Sequence, residues 1–315
     1  MLSKLLRVFA LLGSVMLSDC ALAKELNIVT TNFPQYDFVN HIVKNKAKVI
    51  MLLKPGAQAH SFEPTPKDII SIQNSDLFVY NGGENDEWIE KLIKNSNNQI
   101  QHFSFVSSVN LREEETKEGM QSEEEDGDEH DHHHDSDEEV EYDEHVWTSP
   151  KNDIIILNKL CKKIISLDPD NAQFYMANAA EYIKEFVVLD KKFTKISDLS
   201  KNKLLIFADR FPLLYFVKDY NLDYYAAFKG CSSENEVSAA TLKFLIDKTI
   251  QNNIKVIFKI ELSSDQIANT VARQTNAKVY TFNTGHNVTV EQLKNDVSVA
   301  SLFESNIDYL IEALN

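Results

Sequence analysis

Residues 171–195 read NAQFYMANAAEYIKEFVVLDKKFTK, with no Gly or Pro inside. Apolar or aromatic side chains recur at Phe174, Ala177, Ala180, Ile183, Phe186, Val187 and Phe193, close to the helical period. The stretch therefore predicts a single helix of ~37 Å, at ~1.5 Å per residue. What flanks it decides its role. Before it, short apolar runs alternate with helical patterns. Strands are predicted at 26–30, 47–53, 77–81 and 100–105, with helices at 35–44, 66–74 and 87–94 between them and another from Pro150 to Leu167. After it the alternation resumes, with strands at 204–208, 224–228, 255–260 and 278–282 and helices at 213–220, 239–251, 266–275 and 300–314. Alternating βα units make parallel sheets. The fold class expected is α/β: two parallel-sheet lobes, 24–168 and 201–315, joined by one long helix within 169–200.

The 315 residues are 43% apolar and 25% charged, enough for two lobes that each bury a core. The formal charge of -16 is local. Residues 113–144 carry eighteen Asp or Glu against one Lys, a balance of -17, so the rest of the chain sums to about +1. No basic stripe points to nucleic acid. The acidic tract is almost devoid of apolar residues, and its like charges repel, so 113–144 is expected to be a disordered insertion in the first lobe.

The first 23 residues have the form of an export signal. Lys4 and Arg7 lead an apolar run over 5–17, too short to span a bilayer, and Ala21-Leu22-Ala23 offers a cleavage site. Cys20 gives a competing reading as a lipid attachment point, disfavoured by Asp19 before it. Either way the mature chain is expected to be exported, in the periplasm or on the outer face of the cytoplasmic membrane. Cys161 and Cys231 could pair in an oxidising compartment, or be two small buried apolar residues.

His60 sits in Lys54-Pro55-Gly56-Ala57-Gln58-Ala59-His60-Ser61-Phe62-Glu63-Pro64-Thr65-Pro66, a loop stiffened by three prolines. His145 sits in Asp143-Glu144-His145-Val146-Trp147-Thr148-Ser149-Pro150, where nearby carboxylates could orient its imidazole through the second ring nitrogen. Taken alone, each also fits a histidine satisfied by its own backbone surroundings. His41 and His102, inside a predicted helix and strand, are read that way. Ligands of parallel α/β lobes collect beyond the carboxyl ends of strands. In the second lobe those ends hold Asp209, Glu261 and His286, which with His60 and His145 supply the nitrogen and oxygen donors that Zn²⁺ or Mn²⁺ takes. Asp209 could instead pair with Arg210, and Glu261 could cap the following helix. In the acidic tract, His130, His132, His133 and His134 stand among carboxylates, a composition that scavenges divalent metal without needing a fold.

The two histidine motifs, together with Asn81-Gly82-Gly83-Glu84-Asn85-Asp86-Glu87-Trp88, Ala226-Ala227-Phe228, Glu236-Val237-Ser238 and Asn287-Val288-Thr289, closely resemble the zinc/manganese class of periplasmic solute-binding proteins. The resemblance covers essentially the whole mature chain. It implies two α/β lobes on one rigid helix, a metal held in the cleft, delivery to the permease of a membrane ABC transporter, and no catalysis. A monomer is expected. His60 and His145 carry over directly as ligands. The class usually places His or Glu at the position of Arg210, which cannot ligate, and Asp near Thr284. This chain departs from the pattern there, and the expected substitutes are Asp209 and His286, with Glu261 in reserve. Imidazoles outnumber carboxylates in that set, favouring Zn²⁺ over Mn²⁺ as the transported ion. Two rivals stand beside the receptor: an exported zinc buffer or surface adhesin, and a secreted zinc hydrolase, for which no His-Glu-x-x-His motif is present.

Overall fold

The computed structural model describes residues 25–57, 62–83, 86–95, 100–121, 140–230 and 236–315. The export segment with Cys20, together with His60, Cys231 and the four tract histidines, lies outside the described residues.

The first lobe carries β1 (Leu26–Thr30), α1 (Phe33–Val43), β2 (Ala47–Met51), α2 (Pro66–Gln73), β3 (Leu77–Tyr80), α3 (Glu87–Asn95) and β4 (His102–Ser104). Its sheet is parallel in the order β2-β1-β3-β4. Helices α4 (Pro150–Leu167) and α5 (Ala172–Leu199) follow. The second lobe contains β5 (Leu204–Phe211), α6 (Leu214–Asp219), β6 (Asp223–Lys229), α7 (Ala239–Gln251), β7 (Val256–Ile260), α8 (Gln266–Thr275) and β8 (Lys278–Phe282), with the sheet order β6-β5-β7-β8, again parallel. The chain ends in α9 (Val290–Lys294), α10 (Val299–Ser305) and α11 (Ile307–Leu314). Both sheets are doubly covered α/β layers, as the alternation of patterns requires. No described helix is long and apolar enough to cross a membrane.

Helix α5 runs 28 residues and packs against α1 and α4 on one side and α10 and α11 on the other, so it touches both lobes. Its buried face is Tyr175, Ala179, Tyr182, Phe186, Leu189 and Phe193; of the expected apolar positions Phe186 and Phe193 are buried, Phe174, Ile183 and Val187 half-buried, and Ala177 and Ala180 exposed. The tyrosines win because each buried hydroxyl finds a carboxylate. Tyr175 donates to Asp168 at 2.6 Å, and Tyr182 donates to Asp37.

Three further expectations are corrected. The terminal helix is broken in two at Asn306, which is fully buried. Its amide accepts from Asn283 N at 2.8 Å and donates to Asn283 O at 2.9 Å, tying the break to the end of β8. Strand β5 continues three residues beyond Ala208, with its register against β6 shifting between Phe207 and Arg210.

The third correction concerns the ends of the acidic tract, residues 113–121 and 140–144, which are seated on the second lobe rather than disordered. Glu113 and Tyr142 form an antiparallel bridge, and Gln121 N donates to Ala227 O at 3.0 Å. The repulsion that argued against order is offset by second-lobe lysines. Lys218 pairs with Glu115 at 2.5 Å, Lys248 with Glu118 at 3.3 Å, and Lys229 with Glu141 and Glu114 at 3.1 and 3.4 Å.

Candidate metal centre

His145 follows the returning arm of the acidic tract, and Ser149 caps α4 four residues later, accepting from Asn152 N. The residues before it are supported from the first lobe: Asn81 Nδ2 donates to Glu144 O at 2.9 Å. Gly83, with φ +96°, lies so close to the Glu144 side chain that an added Cβ would fall 2.3 Å from its Cδ. The Asn81-Gly82-Gly83 motif is thus a shelf for residues 143–145. The imidazole is buried, and its Nδ1 lies 3.1 Å from Asp143 Oδ1. A carboxylate only accepts, so Nδ1 carries a proton and Asp143 fixes the orientation of the ring. Asp143 Oδ1 also accepts from His145 N at 2.7 Å, and Tyr215 donates its hydroxyl to Asp143 O at 2.8 Å. On the other face of the ring, a Cβ on Gly230 would stand 2.9 Å from His145 Cε1, so the end of β6 reaches the imidazole only because residue 230 has no side chain.

His286 lies on the loop after β8, and its ring meets that of His145 edge to face with centroids 4.8 Å apart. Trp147 packs against both rings and donates Nε1–H across the lobes to Thr284 O at 3.1 Å. Glu261 supports the loop from behind: Thr284 N, Thr284 Oγ1 and His286 N donate to its carboxylate at 2.8, 2.7 and 3.0 Å. Burial pushes this carboxyl above its ordinary range, against the pull of those same bonds. The Thr284 hydroxyl spends its one hydrogen on Glu261, so it accepts from His286 Nδ1 at 3.0 Å. The ring of His286 is thereby oriented through Nδ1, as the ring of His145 is.

A family model described as zinc-uptake complex component A, periplasmic (ZnuA), matches residues 28–313. The chain belongs to the ZnuA family. It is 33% identical over 290 residues to the high-affinity zinc uptake system protein ZnuA of Bacillus subtilis (strain 168), covering 92% of this chain and 88% of that one. It is 29% identical over 317 residues to the zinc-binding lipoprotein AdcA of Streptococcus pneumoniae, a relative of which it spans only 60%. The crystal structure of the Zn(II)-bound ZnuA-like domain of that AdcA superposes with a TM-score of 0.74 at 27% identity, covering 92% of this chain and 99% of the domain.

Within this ZnuA-family cleft, the sequence-derived candidates separate. His145 and His286 come together. Asp209 is turned elsewhere: its Oδ2 accepts from Ile260 N at 3.0 Å and from the Ser263 hydroxyl, and its Oδ1 accepts from Arg210 N at 2.8 Å. It stands where the register of β5 against β6 shifts, and its carboxylate takes the N–H of Ile260 at the end of β7. Asp209 meets Arg210 through the backbone N–H, and Glu261 holds the loop after β8. Among the described residues, no three His, Cys, Asp or Glu side chains gather around one point. His41 and His102 follow the bland reading, bonding Asp37 O at 2.9 Å and Ile100 O at 3.0 Å. Cys161 is buried in the first-lobe core. The supporting roles of Gly230 and Thr284 escaped the sequence reading, because nothing in their local spacing marks them.

Proposed function

We propose that this protein is an exported receptor that captures Zn²⁺ between its lobes and hands it to the permease of an ABC transporter, itself catalysing nothing. The observation that carries this reading is the meeting of His145 and His286, from opposite lobes, each with its Nδ1 held by a hydrogen bond. His60, on the proline-stiffened loop after β2, is the third imidazole of the set. Asp209 is withdrawn from the ligand set, its two oxygens being spent on β7, Ser263 and Arg210. Glu261 acts behind His286, its two oxygens likewise engaged by Thr284 and His286 N. An imidazole-rich set favours Zn²⁺ over Mn²⁺. The tract histidines His130, His132, His133 and His134 add a scavenging site.

Helix α5 touches both lobes along its length, so release to a permease requires local loop movement rather than wide hinge opening. A competitive zinc titration of the mature protein lacking residues 122–139 tests the reading. One tight zinc that disappears in His145→Ala and His286→Ala supports it. Loss of all tight binding on deleting the tract would make the protein a zinc buffer instead.

A further inference from the structure

The loop after His286 is bound to the loop that leads to His60. Asn287 is buried, and both hydrogens of its side-chain amide are used on first-lobe carbonyls: Nδ2 donates to Lys54 O at 2.9 Å and to Ala57 O at 2.7 Å. Its Oδ1 accepts from Val288 N at 2.8 Å, which fixes the amide's orientation. The backbone adds a parallel tie, Gly56 N donating to Val288 O at 2.8 Å. Gly56 takes φ +83°, and the turn it makes is closed by Ala57 N donating to Lys54 O at 3.1 Å. Two lobes that share no sheet are thus stitched at residues 54–57 and 287–288, immediately beside His286 and three residues before His60.

We infer that Asn287 is a positioning residue of the zinc site, setting the separation between the first-lobe segment 54–57 and the second-lobe imidazole of His286. The inference rests on the receptor reading above. Asparagine suits the task chemically. Two carbonyls converge on one nitrogen and need two donors, and the short side chain holds them close. Aspartate, nearly the same shape, would place acceptors against acceptors and push the loops apart. Glutamine would reach one methylene too far. Because the contacts lie beside the ligands and not under them, the residue governs how long the metal stays more than whether the fold forms.

The test uses the mature protein lacking residues 122–139, with Asn287→Asp and Asn287→Ala compared with the parent. Zinc affinity and dissociation rate are read by chelator competition, and the visible spectrum of the Co²⁺-loaded protein reports ligand geometry. The expected result is a loss of affinity of at least about tenfold in Asn287→Asp, carried mainly by faster dissociation, with weakened Co²⁺ bands. Asn287→Ala should fall between Asp and the parent. If Asn287→Asp does not fold, the alanine variant carries the same comparison. Unchanged affinity, dissociation and Co²⁺ spectrum in a folded variant would overturn the inference and leave Asn287 a brace of the fold. Failure of the receptor reading itself shows separately, as zinc binding that survives His145→Ala and His286→Ala.

Discussion

The carboxylate of Asp37, in α1 of the first lobe, accepts a hydrogen bond at 3.1 Å from the backbone N–H of Val299, which opens α10 beyond the second sheet. Tyr182 of α5 donates to the same oxygen, and Ala300 N approaches the Tyr182 hydroxyl at 3.4 Å. One buried acid therefore ties the linking helix, the first lobe and the C-terminal helices together. It satisfies a helix N-terminal N–H that would otherwise be orphaned.

His41 extends this junction, with Nδ1 3.2 Å from Asp37 Oδ1 and its ring stacked on Tyr182 at 3.7 Å. Burial works against its charge, but bonds and attraction from Asp37, with a smaller pull from Glu185, leave its pKa above the ordinary value. A histidine raised in the folded state contributes stability that is whole below ~6.5 and lost as pH climbs through the folded pKa. His41→Ala should therefore cost about 1–2 kcal/mol in urea melts at pH 6, and clearly less at pH 9. An equal cost at both pH values would mean that stacking alone holds the ring.

Asp153, in the first turn of α4, has no exposed surface, and neither oxygen has a hydrogen-bond partner among the described residues. Burial first, then the charge of Asp37, raises its carboxyl well above the ordinary value. For an acid raised in the fold, stability is fully present below ~3.9 and declines as pH rises through the folded pKa. Asp153→Asn should remove that decline. The variant is expected to gain about 1–3 kcal/mol on the parent at pH 8 and little at pH 4. Paired denaturant curves at the two pH values decide it.

How far the sequence carried the fold is clearest in the second lobe. The β5–β8 alternation was readable because buried parallel strands are short apolar runs with breakers between them. The side-chain commitments of Asp209 and Glu261 were not. A carboxylate after a strand looks the same whether it faces a cation or the N–H groups of a neighbouring loop. Only the register shift at Phe207 and Arg210, and the partners Ile260 and Thr284, tell the two apart. His145 was legible because Asp143 lies two residues away. Asn287 belonged to a readable motif, but its partners are more than two hundred positions distant.

Gly230 offers a test of the site that leaves its ligands intact. A methyl group there would press on His145 Cε1 and Nδ1 at 2.9 and 3.1 Å, with Phe211 O behind at 3.1 Å. The ring has little room to retreat, since Trp147 and His286 pack against its other sides. Gly230→Ala should weaken zinc binding by about 10–100-fold, the range seen when a ligand's support is disturbed. Isothermal titration with the tract deleted measures it, and an unchanged affinity would place the zinc away from His145.

Zinc should also brace the two lobes against each other, because the ligands proposed for it come from both. A ligand bound only by the folded chain raises stability by about 2.7 kcal/mol at a hundredfold excess over its Kd. In the site proposed above both imidazoles bind the metal in their neutral form, so protons compete for it, and free imidazole titrates near ~6.5. The rise in Tm on adding zinc should be large at pH 7.5, shrink through pH 6 and vanish near pH 5. Asp143→Ala removes the acceptor of both His145 Nδ1–H and His145 N–H, so it should lower the metal-free Tm and also reduce the zinc-induced rise at pH 7.5. A zinc-induced rise that stays constant from pH 7.5 to 5 would point to carboxylate ligands and away from the paired histidines.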